Sequence, residues 1–284
     1  MPYTPIDYWS RLHERDDLSS VGQSGLPAGL NRWLYRVLER NVRSFLHRHG
    51  LMRPFPESAF DVGAGIGFWV DVWHRCGASR VDGCDLVPDA VARLNDRFGA
   101  GGSFLVADVS LPGQLPDRQY PFVSCMNVLL HVTDDTAFDR ALVAIADLVA
   151  PGGVLLLAEP IVGEATTLPA YDPERHSRAR HLAAYAGPLT GAGLELVEVA
   201  AATVLANNPI EAGSPAAYRR YVRWWRFVAG RAKRNPGSAR WLGPLIDVAD
   251  RIAMPTGAAP STKLVLFRRP APDPIDAVEL TIAW

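Results

Sequence analysis

From residue 58 to 201, short apolar runs alternate with amphipathic stretches, and this alternation constrains the fold more than any other feature of the 284-residue chain. Short apolar runs read as strands of a buried sheet, and the stretches between them have helical spacing, so the order is that of successive βαβ units. The spacing predicts strands at SAFDV, RVDGCDL, SFLVA, FVSCMNV, GVLLLAE and LELVEVAA, with helices over 67–76, 87–98, 134–149 and 178–192. Thr133 or Asp134 can cap the third of these helices, and Pro151-Gly152-Gly153 follows it.

The flanks differ from this core. NRWLYRVLERNVRSFLHRHG places Trp33, Leu34, Val37, Leu38, Val42, Phe45 and Leu46 at helical spacing, and Gly50, Pro54 and Pro56 end that pattern. After the sixth strand, a stretch rich in Trp, Arg and Pro precedes STKLVLFRR, which reads as one more strand. The expected architecture is α/β: a Rossmann-like, doubly wound seven-stranded sheet. Residues 1–56 form an N-terminal helical cap, 57–202 the core, 203–260 a helical lid inserted before the last strand, and 261–284 that strand and a tail. The tail APDPIDAVELTIAW suits an extended strand or a loose end equally.

The sharpest local feature is Phe60-Asp61-Val62-Gly63-Ala64-Gly65-Ile66-Gly67-Phe68, in which an apolar strand runs into Gly-x-Gly-x-Gly and then a helix. Glycines at such a turn let the backbone bend tightly and let a ligand approach where a Cβ would collide. A dinucleotide fingerprint needs a glycine three residues after Gly65, and that position is Phe68. Asp61 would set a negative charge near a pyrophosphate, which suits a cationic ligand better. Asp85 ends the second strand, where a carboxylate can accept both ribose hydroxyls, and Asp108 ends the third, where it can accept from an adenine amino group.

In this combination the chain resembles the class I S-adenosylmethionine-dependent methyltransferases of small-molecule type. DVGAGIG, CDL, VADV, FVSCMNVLLHV, the Pro-Gly-Gly turn and LLLAEP carry the resemblance, over about residues 58–201. It implies S-adenosylmethionine as cofactor and S-adenosylhomocysteine as product. It also implies that Gly63, Ala64 and Gly65 pass beneath the methionyl portion, with Asp61 near its ammonium. Asp85 would take the ribose, Leu86 pack on the adenine, Asp108 and Val109 read the adenine edge, and Asn127 and Val128 complete the pocket. The resemblance also implies an N-terminal segment folded over the cofactor, which points to Tyr8, Trp9 and Arg11, the arginine meeting a carboxylate.

Methyl transfer from a sulfonium is an in-line displacement, so the protein must align donor and acceptor, exclude water, and remove a proton where the acceptor is a hydroxyl. His131, just past the fourth strand, is the leading base; a pocket-shaping histidine is the other reading of it. Glu159 is a second candidate, or a cap or substrate-hydroxyl partner, and His176 a third, or a solvated helix residue. The Trp and Tyr side chains of 218–241 read as helix packing or as the mouth of an apolar pocket. The expected reaction is methylation of a small apolar or aromatic, natural-product-like acceptor at oxygen. Methylation at carbon or nitrogen of an indole-like ring, an NAD(P)-linked oxidoreductase and a cofactor-binding protein without catalysis are the alternatives.

Composition narrows the partners. The 29 basic and 30 acidic residues nearly cancel, so no global field favours a nucleic acid. The clusters Arg219, Arg220, Arg223 and Arg226, and Arg231, Lys233 and Arg234, read as a solvated helix face or as an anion or nucleic-acid site. Cys76, Cys84 and Cys125 form neither a disulfide framework nor a CxxC pair, and the seven histidines lack metal-ligand spacing. No export signal and no run of about 18 apolar residues is visible, so a cytoplasmic monomer or homodimer without a membrane or metal is expected.

Overall fold

Strand order β3-β2-β1-β4-β5-β9-β8 organises the protein, whose computed structural model describes residues 4–15, 17–23, 25–164, 166 and 176–272. The first five strands along the chain are β1 (Ser58–Val62), β2 (Arg80–Asp85), β3 (Phe104–Val106), β4 (Tyr120–Met126) and β5 (Val149–Glu159), all mutually parallel. The short pair β6 (Ile161–Val162) and β7 (Arg180–His181) stands apart from the sheet. β8 (Glu195–Ala201) and β9 (Lys263–Arg268) close it: β9 lies antiparallel between β5 and β8. The order reverses between β1 and β4, so a crevice opens at their carboxyl ends, where open α/β sheets bind ligands.

Helices cover both faces. Ahead of β1 stand α1 (Pro5–His13), α2 (Leu18–Val21) and α3 (Ala28–Arg48). α4 (Phe68–Cys76), α5 (Pro88–Phe98), α6 (Asp135–Asp147) and α7 (Leu182–Gly191) connect the strands, while α8 (Pro215–Arg234) and α9 (Ala239–Ala253) lie between β8 and β9. On one face, Phe138, Leu142 and Ile145 of α6 pack with Tyr185 and Leu189 of α7 against Phe60, Val123 and Leu157 of the sheet. On the other, Trp69, Trp73, Val91 and Leu94 pack with Phe45 and Leu46 of α3 against Ala59, Phe122 and Leu156. No helix among the described residues is long and apolar enough to cross a membrane.

The doubly wound, seven-stranded sheet expected from the alternation is the one observed, and the Asp134 side chain caps α6 by accepting the Ala137 N–H at 2.7 Å. Two local expectations need correction. Helix α7 starts at Leu182 rather than 178, because Arg180 and His181 extend to pair with Ile161 and Val162. The fourth strand stops at Met126, because Asn127 turns into the left-handed region at φ 61°. The tail beyond residue 272 lies outside the described residues.

α3 is shared between two cores, which sets the positions of the flanking helices. Its first half buries Leu30, Leu34 and Val37 against Trp225 and Val228 of α8 and Leu242 and Ile246 of α9; its second half belongs to the sheet core. α9 comes so close that a Cβ on Gly243 would stand 2.1 Å from the Trp33 ring. Asp250, fully buried, locks this corner. Its Oδ1 accepts the Val204 and Leu205 N–H groups at 2.8 Å each, and its Oδ2 accepts from Asn41 Nδ2 at 2.9 Å and Arg40 at 3.0 Å. Asp250→Ala strands all four donors in a low-dielectric corner, and unfolding in urea should show a loss of about 3 kcal/mol. A loss under about 1 kcal/mol would mean the donors find water instead.

Candidate active site

The floor of the crevice is the turn after β1. Gly63 and Gly65 sit at φ 69° and 55°, and a Cβ on Gly63 would lie 2.3 Å from Val128 Cγ2, so only glycine passes under the neighbouring turn. Asp85 holds this loop in place: its Oδ2 accepts the Gly65 N–H at 2.8 Å and its Oδ1 the Val87 N–H at 3.0 Å. Asp108 is similarly braced, accepting from the Ser110 N–H at 2.9 Å and the Ser110 hydroxyl at 2.7 Å.

The opposite wall is the turn after β4. Asn127 donates its N–H to the Ala158 carbonyl at 2.7 Å and releases the chain into a short turn, residues 129–131. Glu159, fully buried, accepts the Val128 and Leu129 N–H groups at 2.9 Å each and that of Leu130 at 3.1 Å. Burial pushes its carboxyl up to about 8, opposed by those three donors. Glu159 therefore acts as a clamp on the turn and does not face the crevice.

A strap over residues 176–181 lies on that turn. Arg178 donates its N–H to the Leu130 carbonyl at 2.8 Å, and Arg180 Nη2 donates to the Val132 carbonyl at 2.8 Å. The His131 Nδ1 stands 3.0 Å from the His176 carbonyl. That carbonyl can only accept, which assigns the ring proton to Nδ1 and leaves the Nε2 lone pair unprotonated. Burial pushes the imidazole down to about 4, so it is neutral at physiological pH. Trp9 of α1 packs edge-on against it, ring centroids 4.6 Å apart.

Two chambers meet at this histidine. The first, about 290 Å³, is bounded by Gly63 to Ile66, Asp85, Leu86, Asp108, Val109, Asn127 and His131, with Trp9 and His13 above. Among the described residues three acids line it, Asp85, Asp108 and Asp134, and no Lys or Arg does. The second, about 280 Å³, lies between α1, α3 and α8, and it shares Trp9, Val21, Tyr35, Asn127 and His131 with the first. Among the described residues, no group of three or more His, Cys, Asp or Glu side chains could hold a metal.

The structure thus gathers Gly63, Ala64, Gly65, Asp85, Leu86, Asp108, Val109, Asn127 and His131 around one cavity and keeps the other candidates out of it. Arg11 is exposed and donates to its own helix, at the Asp7 carbonyl. Tyr8 faces the second chamber and packs edge-on against His176 at 5.0 Å, so the histidine contributes its carbonyl to His131. Asp61 is buried behind the glycine turn, accepting the Ser124 hydroxyl at 2.5 Å, while Trp73 Nε1 donates to the same hydroxyl at 2.9 Å. The Asp61 side chain lies on the α4 side of the sheet with Trp73 and does not line the crevice. Trp9, expected over the cofactor, does line the crevice, and the lining residue missing from the sequence reading was His13. Pro5, Trp9 and His13 recur every fourth residue on one face of α1, and that periodicity was the available signal.

With this geometry in hand, comparison with known proteins is informative. Residues 59–153 match the family model described as "Methyltransferase domain". The ubiquinone biosynthesis O-methyltransferase of Serratia proteamaculans is 33% identical over 123 residues, 42% of this chain and 48% of that protein. The chain therefore spans about half the length of the curated relatives it matches. An S-adenosylmethionine-dependent methyltransferase from Leishmania major superposes with a TM-score of 0.54 at 17% identity, over 69% of this chain and 74% of that one. The 4+2 cyclase SpnF superposes at 0.50 with 22% identity, over 76% of each chain, and these two likenesses show the fold alone. Residues 59–153 thus carry a methyltransferase domain, within a fold shared with S-adenosylmethionine-dependent methyltransferases.

Asp61 offers a test of the buried layer under the site. Burial pushes its carboxyl up to about 7 from an ordinary 3.8, so the folded state keeps a proton that the unfolded chain gives up. The stability this group contributes is complete below the ordinary value and is lost as pH rises through the folded one. Urea unfolding from about pH 4 to 7 should show a falling component, up to about 1 kcal/mol per pH unit, that Asp61→Asn removes. Identical pH slopes in the two proteins would show that Asp61 titrates normally.

Proposed function

We propose that the protein transfers the methyl group of S-adenosylmethionine to a hydroxyl of a small aromatic acceptor held in the second chamber. The observation that carries this reading is a crevice lined by three acids and no cation, opening at His131 onto a separate chamber. The donor set fits a sulfonium nucleoside and does not fit a pyrophosphate, which would need cations or free N–H groups at the turn. Asp85 would accept the ribose hydroxyls, Leu86 and Val109 would flank the adenine with Asp108 at its edge, and the Gly63–Gly65 backbone would pass beneath the methionyl chain. In this reading residues 1–56 act as a cap and 203–260 as a lid on the core.

When bound, S-adenosylmethionine supplies an electrophilic methyl, whose bond to sulfur breaks as the acceptor oxygen's lone pair takes the carbon, leaving a thioether. His131 accepts the hydroxyl proton at Nε2. Its low proton affinity is adequate, because the oxygen becomes strongly acidic as its new bond forms. Glu159 and the strap hold the imidazole in place, and Trp9 shields it from water. The curated relatives' name, an O-methyltransferase, supports oxygen as the atom methylated. A carbon or nitrogen acceptor, already nucleophilic, would use the same crevice without the base.

Calorimetry should give S-adenosylhomocysteine binding without NADH binding; the reverse would overturn the assignment. His131→Ala should lower kcat about 100-fold or more while S-adenosylhomocysteine affinity is kept. Retained turnover would favour the carbon or nitrogen acceptor. With His131 already neutral, kcat/KM should lack a limb near 6.5 and fall only as pH approaches about 4, where the ring protonates.

A further inference from the structure

The two chambers carry opposite charge signatures. Acids line the cofactor crevice, whereas among the described residues the second chamber is lined by no Asp or Glu and by one Lys or Arg, Lys233. Lys233 belongs to the last turn of α8 and reaches across to the α2–α3 loop, where a Cβ on Gly25 would stand 3.3 Å from its Nζ. It has no ion-pair partner among the described residues, although Arg40, Arg75, Arg178 and Arg180 all pair.

Inside the chamber, most polar side chains are already engaged. Asn31 accepts the Gln23 N–H at 2.9 Å and donates to the Gln23 and Leu26 carbonyls, and Gln23 Nε2 donates to Asn207 Oδ1 at 2.8 Å. Asn207 in turn donates to the Thr262 hydroxyl at 3.0 Å. These groups build the wall. Thr203 is different: it is 4% exposed, lines the chamber, and its Oγ1 has no hydrogen-bond partner among the described residues. A buried hydroxyl left without a partner is costly in a folded protein unless something completes it. Leu34, Leu38 and Trp225 supply the flat apolar remainder.

We propose that the acceptor is an aromatic ring bearing a carboxylate, with Lys233 reading the carboxylate at the chamber mouth and Thr203 completing its hydrogen bonding to a ring substituent within. The proposal rests on the methyl-transfer reading above. The charge arrangement also sorts the two ligands: acids favour the sulfonium nucleoside in one chamber, and the lone cation favours an anion in the other.

The test is calorimetric titration of the full chain, saturated with S-adenosylhomocysteine, using protocatechuate and its uncharged primary amide as probes. Protocatechuate should bind about 5-fold tighter than the amide, as expected of an exposed charge pair, and added salt should compress the difference. Lys233→Ala should abolish the preference by weakening the acid alone, and Thr203→Val should weaken both probes together. Equal binding of the two probes, binding of neither, or a preference that survives Lys233→Ala overturns the proposal. Loss of S-adenosylhomocysteine binding in the unsubstituted protein would instead overturn the methyl-transfer reading itself.

Discussion

Three backbone N–H groups at the start of the turn after β4 converge on the carboxylate of Glu159, which ends the neighbouring strand and has no access to solvent. A strand end followed by a short turn leaves such donors without partners, and in a buried position each would be costly. One carboxylate satisfies all three. Because β4 and β5 are adjacent and parallel, that bond also fixes the height at which Asn127 leaves the sheet, and hence where His131 stands. The site is positioned by this clamp before any residue of the cap or lid is considered.

The helices before β1 and those between β8 and β9 share one apolar cluster. α3 gives half its apolar face to α8 and α9 and half to the sheet, so the insertion between β8 and β9 is fastened to the core through a helix from the other end of the chain. Asp250 ties α9 to the end of β8 and to Arg40 and Asn41 at the same point. The second chamber exists because of that fastening: its walls come from α1 and α3 near one end of the chain and from α8 and the segment between β8 and α8 much further along it. Chamber and crevice communicate only past shared side chains, chiefly Trp9, Tyr35, Asn127 and His131.

Reading the chain without coordinates succeeded where the signal was periodic or was carried by backbone-constrained residues. The strands followed from runs such as SAFDV and GVLLLAE, because a strand buried on both faces has little choice but to be apolar throughout. Gly63, Asp85 and Asp108 were found because strand ends at a switch point must face the crevice. For Glu159 and Asp61 the sequence left two roles open, because a carboxylate at a strand end reads the same whether it faces a ligand or accepts from neighbouring protein donors. His176 failed differently, since its contribution is a carbonyl, which any residue would carry.

Sequence alone determined the doubly wound sheet, the glycine turn and the acids around it, because periodicity and the steric demands of a tight turn are local properties written in residue type. Only the tertiary structure decided which carboxylates face the crevice, that the His131 ring proton rests on Nδ1, and that a second chamber of opposite charge adjoins the first. Those depend on contacts between α1, α3, the strap and α8. Burial and hydrogen-bond partners come from residues far apart in the chain, and no spacing encodes them.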